Sequence, residues 1–90
     1  MTEHHLSLRP IGENDYSVLR EGRAIGRIGL ADERPGHEIW AWNITIPLRV
    51  PSGAAGRAPS LDLAKAAFRL AWDRFYASLT AADIEFWQNS

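Results

Sequence analysis

The side chains that could carry chemistry are few and scattered. His4, His5 and His37 are the only histidines, and there is no cysteine. A metal centre needs imidazole, thiolate or carboxylate ligands converging from rigid elements at set spacings. Two adjacent histidines near the N-terminus and a third beside a turn do not form that pattern, so solvated histidines and no metal site are expected. The absence of cysteine excludes disulfides, thiolate centres and cysteine nucleophiles. No serine stands in a nucleophile-elbow context, and no Ser-His-Asp set can be assigned. Asp15 and Glu38 are the only acids worth naming as an acid–base pair, and nothing in their spacing brings them together. The expectation is a protein that is not an enzyme and that uses no cofactor.

Anion-binding chemistry has two places to live. Gly22, Gly26 and Gly29 lie within a hairpin, not between a strand and a helix N-terminus, so they do not make a phosphate loop. Gly53-Ala54-Ala55-Gly56-Arg57 does precede a helix, but no Gly-Lys-Ser/Thr follows it. Arg49 and Arg57 bracket this stretch and are candidates for holding an anionic ligand or an acidic partner, with solubilising loop charges as the plainer account. A small anionic ligand at the 48–60 loop and the following helix N-terminus is therefore one functional reading.

Aromatic chemistry centres on Trp40 and Trp42. Exposed aromatics on a sheet can stack nucleobases. These two, however, share a parity with Ile44 and Ile46, while Ile39, Ala41, Asn43 and Thr45 hold the other. A period of two marks a strand with one buried face. The indole face is the more apolar, so it is expected to be core.

The elements that would position these residues follow from the same periodicities. Leu6 and Leu8 open a first strand, which Pro10 is expected to stop. Residues 11–15 read as a turn. Tyr16 to Arg20 and Ala24 to Ala31 form a hairpin about Glu21-Gly22-Arg23, with Gly22 at positive φ. Glycine inside the second of these strands suggests a large neighbour, and Trp40 or Trp42 over Gly26 would supply it. Asp32-Glu33-Arg34-Pro35-Gly36 is a second turn, and the Trp strand follows. Residues 48–59 are rich in Gly and Pro and read as one long loop.

Ser60 is placed to cap a helix, with Asp62 in its first turn. From Leu61 to Leu79 the apolar residues recur at helical spacing: Leu61, Ala64, Phe68, Ala71, Phe75 and Leu79. Leu63, Ala67 and Leu70 widen that stripe, and Trp72 and Tyr76 flank it. Thr80-Ala81-Ala82-Asp83 matches a capping box for a further short helix through Ile84, Phe86 and Trp87.

The expected fold is α+β: a three- to four-stranded antiparallel meander in the order 1-2-3-4, packed on one face by a long helix, with a short C-terminal helix. Residues 1–90 make a single domain, with 1–5 a loose end. The other sheet face would carry Ser17, Leu19, Ile25, Arg27, Ile39, Ala41, Asn43 and Thr45. Half-apolar by parity, it suits a protein partner or self-association.

Composition bounds the rest. Ten Lys and Arg balance eleven Asp and Glu, giving a net charge of −1. They are interspersed, so the electrostatic footprint of a nucleic-acid binder is missing from the primary structure, although a folded face can still gather scattered arginines. No apolar run approaches the roughly 20 residues of a membrane span. The N-terminus has no signal-peptide pattern, and a cytoplasmic protein is expected.

Two resemblances add to this. Tyr16-x-Val18-Leu19-x-x-Gly22-Arg23-x-Ile25-Gly26-Arg27-Ile28, then Trp40-x-Trp42-x-Ile44, then Ser60-Leu61-x-x-Ala64-Lys65-Ala66-Ala67-Phe68-x-x-Ala71-Trp72 resembles a family of small, functionally uncharacterised bacterial proteins with a sheet-then-helix plan. That likeness implies a fold and no activity. The order of elements is also similar to HicB-type antitoxins, whose helix opens Ser/Thr-x-x-Glu-Ala; here Asp62-Leu63 replaces the usual Glu. This likeness implies a partner-binding module. The leading expectation is a non-enzymatic interaction module, homodimeric or with another partner, using Arg27, Asn43, Thr45, Arg49 and Arg57. The alternative is nucleic-acid binding through Arg27, Arg49 and Arg57.

Overall fold

The computed structural model describes residues 6–89. The expected loose end at 1–5, with His4 and His5, lies outside them. Five strands form one antiparallel sheet in sequence order: β1 Leu6–Gly12, β2 Asp15–Arg20, β3 Arg23–Asp32, β4 Ile39–Ile44 and β5 Ala55–Ala58. Helix α1, Leu61–Ser78, and helix α2, Ala81–Gln88, follow. The class is α+β as expected, with one strand more than the four allowed for.

That extra strand, β5, comes from the stretch read as loop. It pairs Trp40 with Ala58, Ala41 with Arg57, Trp42 with Gly56 and Asn43 with Ala55. Its composition hides it, because the position opposite Trp42 must be small. A Cβ at Gly56 would lie 2.7 Å from Trp42 Cζ2. Gly26 obeys the same logic, but its large neighbour is not an indole: an added Cβ would collide with the Phe68 ring and the Asn43 carbonyl oxygen.

β1 runs through Pro10, which pairs with Tyr16. A proline is tolerated there because β1 is an edge strand. The β2–β3 turn has Glu21 at φ 53° and Gly22 at φ 79°. Two left-handed central residues give the turn whose twist matches the strands it joins.

The register slips between Val18 and Leu19: Val18 faces Gly26 and Leu19 faces Ala24. Ile25 is the extra residue of a β-bulge. It therefore leaves the parity of Arg27 and turns inward, where it is completely buried. The expectation that Ile25 lies on the open face is thus corrected.

Trp40, Trp42, Ile44 and Ile46 are buried, joined by Val18, Ile25 and Ile28 from the sheet. From α1, Ala64, Phe68, Trp72 and Phe75 complete the core. The helix starts where Ser60 Oγ accepts the Leu63 N–H at 3.2 Å, with Asp62 in the first turn. Ala64, Phe68 and Phe75 are buried as expected, but the stripe widens on the other side, a rotation toward Trp72. Leu63 and Leu70 are 55 % and 54 % exposed, whereas Trp72, placed at the flank by spacing alone, is fully buried.

The cause of that rotation is α2. Thr80 Oγ1 accepts the Asp83 N–H at 3.1 Å and the Thr80 N–H reaches Asp83 Oδ2 at 3.0 Å, a complete capping box. This start aims Trp87 at Trp72, edge to face with centroids 5.7 Å apart. Trp87 closes the core, while Phe86 stays exposed.

Arg20 and Arg23 hold the same end from the sheet. The Arg20 guanidinium lies 4.8 Å from the Tyr76 ring centroid, and Arg23 Nη1 donates to the Trp87 carbonyl at 3.5 Å. A cation near the last carbonyls of a helix is favourably placed against its dipole. Arg20 shares the parity of Tyr16 and Val18, so its inward aim was legible. No helix among the described residues is long and apolar enough to cross a membrane.

Candidate functional site: the open face of the sheet

Both helices pack on one side, so among the described residues no helix covers the other side of the five strands. Register places its residues in rows across the strands. Arg9 pairs with Ser17, Ser17 with Arg27, Arg27 with Asn43 and Asn43 with Ala55. The neighbouring row runs Asp15, Gly29, Ala41, Arg57. Strands lie about 4.8 Å apart, so Arg27 and Asn43 are direct neighbours and Arg57 stands diagonally from Asn43.

Four of the five candidate residues therefore meet on this face: Arg27, Asn43, Arg57 and Thr45, which follows β4 and donates its N–H to the Ile25 carbonyl at 2.9 Å. Arg49 does not join them. It is exposed on the connection between β4 and β5. Nor does Arg57 approach the helix N-terminus, because its side chain is on the face opposite the one α1 covers. The pieces of the anionic-ligand reading are thus held apart.

With Ile25 withdrawn, the face is more polar than its parity suggested. Leu19 and Ile39 are its large apolar side chains, and both are half-buried. A shallow open groove of about 470 Å³ lies on this face. Gly29 and Ala41 form its floor; Asp15, Arg27, Asn43 and Thr45 stand around it. Arg27 is ion-paired with Asp15, both at least partly exposed. In such solvent the pair adds little stability, about 0–1 kcal/mol, but it holds the guanidinium beside the groove. Arg9, Arg27 and Arg57 share this face with Asp15, and Glu13 lines the same groove.

The displaced titrations lie elsewhere, in the β3–β4 turn. The Arg34 guanidinium beside Asp32, 2.8 Å away, and then the Arg34 backbone N–H hold the Asp32 carboxyl below its ordinary value. The same pairing raises Arg34. Both are solvent-exposed and belong to a structural turn. Among the described residues no group of three or more His, Cys, Asp or Glu is arranged to hold a metal ion. His37 is exposed. Sequence reasoning overlooked Arg9, although its alternation with Leu6 and Leu8 was a sufficient signal.

Set against protein-family models, curated proteins and solved structures, the chain finds no match.

Proposed function

We propose that this protein is a non-enzymatic binding module whose contact surface is the open sheet face around Arg27 and Asn43, and that its partner is a protein presenting an acidic patch. The observation that carries this is the cross-strand row Arg9–Ser17–Arg27–Asn43 with Arg57 beside it, laid over a floor of Gly29 and Ala41. The polar groups stand side by side on a flat exposed surface. Catalysis needs them converging in a cleft that excludes water. A surface of small residues with arginines above it instead lets another protein approach closely and pair its acids with fixed guanidinium groups.

Nucleic acid is the second reading, favoured by the same arginines. Single-strand binders add aromatic platforms, and here Trp40, Trp42, Trp72 and Trp87 are all committed to the core. Self-association through an edge strand is the weaker form of the binding reading, because Pro10 sits within one edge and Pro59 directly follows the other. Prolines at sheet edges disfavour pairing of two full-length edge strands.

The test is affinity capture with the wild type and with an Arg27→Glu/Arg57→Glu variant, followed by mass spectrometry. The variant should keep its circular dichroism spectrum and lose the captured protein. A partner that binds both equally would rule the face out. A labelled oligonucleotide bound with a steep salt dependence would move the reading to nucleic acid.

A further inference from the structure

The opposite side of the sheet offers a second surface, at its β1 edge. A two-residue turn closes Arg20 and Arg23 as a hydrogen-bonded pair. Backbone groups alternate in direction along an antiparallel strand, so Arg20, Val18 and Tyr16 point toward β3. The Leu30 N–H donating to the Asn14 carbonyl at 2.9 Å continues the same alternation. Leu19 and Ser17 therefore point toward β1, where they meet Ser7 and Arg9. It follows that the N–H and C=O groups of Leu6 and Leu8 point outward from the sheet, as does the carbonyl of Pro10. Proline's missing N–H lies on the outward side, which explains why this edge tolerates it.

Directly inside this edge is a cleft. Helix α1 packs mainly on β4, β5 and residues 52–54, and one helix about 10 Å wide cannot cover five strands. Between α1 and β1 a hollow of about 260 Å³ remains, with Leu6, Leu8 and Val18 on its sheet side and Lys65, Phe68 and Arg69 on its helical wall. Lys65 is half-exposed, with Asp62 4.0 Å away.

We propose that this edge and cleft together accept an extended peptide. Its backbone would add as a short sixth strand beside Leu6–Leu8. One apolar side chain would enter the cleft, and an acidic residue two positions away would meet Lys65 and Arg69. Strand addition beside a helix-walled groove is a recurrent mode of peptide recognition: main-chain hydrogen bonds supply affinity, and pockets for alternate side chains supply specificity. The outward N–H and C=O groups of Leu6 and Leu8 beside the cleft favour a peptide backbone over a free small molecule. Pro10 favours it over a second copy of the chain. Two β1 strands paired about Leu8 would set each Pro10 against the partner's Leu6, leaving that carbonyl without its donor, whereas a short peptide needs only Leu6 to Leu8. The cleft is on the opposite side of the sheet from Arg27 and Asn43, so it stands or falls separately from the open face.

The experiment is selection from a phage-displayed library of linear decapeptides, then synthesis of the enriched peptides and amide chemical-shift mapping on the full chain. Enriched peptides should share an apolar residue spaced two from an Asp or Glu. Their binding should shift the amides of Leu6, Leu8, Lys65 and Arg69, and Lys65→Glu, at an exposed site compatible with folding, should weaken it about tenfold. Methylating one peptide backbone nitrogen that meets the edge should weaken it further. The proposal is overturned if no peptide enriches, if shifts fall on Arg27 and Asn43 instead, or if sedimentation shows a dimer in which β1 is the interface.

Discussion

The inner face of the sheet is crowded with bulk, and the open face is built from small and polar side chains, although the same five strands supply both. On the inner face glycine is a consequence of crowding: Gly26 lies under Phe68 and Gly56 under Trp42. On the open face no ring lies over Gly29, where an added Cβ would meet the Asp15 carboxylate at 3.2 Å, and Gly29 and Ala41 leave a floor beside Arg27. Two residue types that look alike in a strand pattern thus do opposite things. One lets the core close; the other keeps a surface accessible. Stability should reside almost wholly on the first face and partner contact on the second.

The sharpest way to break this comparison is to remove bulk from the crowded side. Trp42→Ala should cost about 3–5 kcal/mol, a large share of the total stability of so small a domain; an unchanged melting point would place that indole outside the core. Adding bulk there tests the glycines. Gly56→Val should cost about 1–3 kcal/mol by overpacking against Trp42, read as a lower denaturant midpoint and loss of amide protection in β5. Thr80→Ala should cost about 1 kcal/mol through loss of the cap, and the Trp87 environment should change in fluorescence as α2 loosens.

On the open face the same scale of substitution should barely register. Arg27→Ala and Asn43→Ala should each stay within about 0.5–1 kcal/mol of the parent, while altering capture of a partner. A large melting shift from either would mean that this face is structural. The smallest effect concerns pH. The Asp32 carboxyl titrates lower in the folded state than in the unfolded one, held down by Arg34. Its contribution is therefore complete above the ordinary value of 3.8 and is lost as pH falls through the lowered folded value. Asp32→Asn should lower stability slightly at neutral pH and converge on the parent in acid, so that the acid limb of the stability profile, read from denaturant midpoints, is slightly flatter.

Much of this architecture is local and could be read before folding. The alternation of Trp40, Trp42, Ile44 and Ile46, the Glu21-Gly22 turn, the Ser60 cap and the Thr80–Asp83 box each depend on residues within a few positions of one another. So does the shared parity of Asn43 and Thr45, whereas Arg27 joins them only through the pairing of β3 with β4. Periodicity determines which residues share a face, and cap chemistry determines where helices begin.

What only the tertiary structure decided depends on distant partners. Ile25 turns inward because β2 and β3 pair with one residue to spare, and parity cannot be carried across a bulge. β5 reads as a loop because its position opposite Trp42 must be glycine, and only its pairing with β4 makes it a strand. Trp72 rather than Leu63 or Leu70 enters the core because Trp87, arriving from α2, covers that side of α1. Arg57 joins Arg27 and Asn43 while Arg49 does not, because β5 returns one of them to the sheet. The chain's local patterns set the faces of its elements, and the packing of those elements against one another set which faces were left to meet the outside.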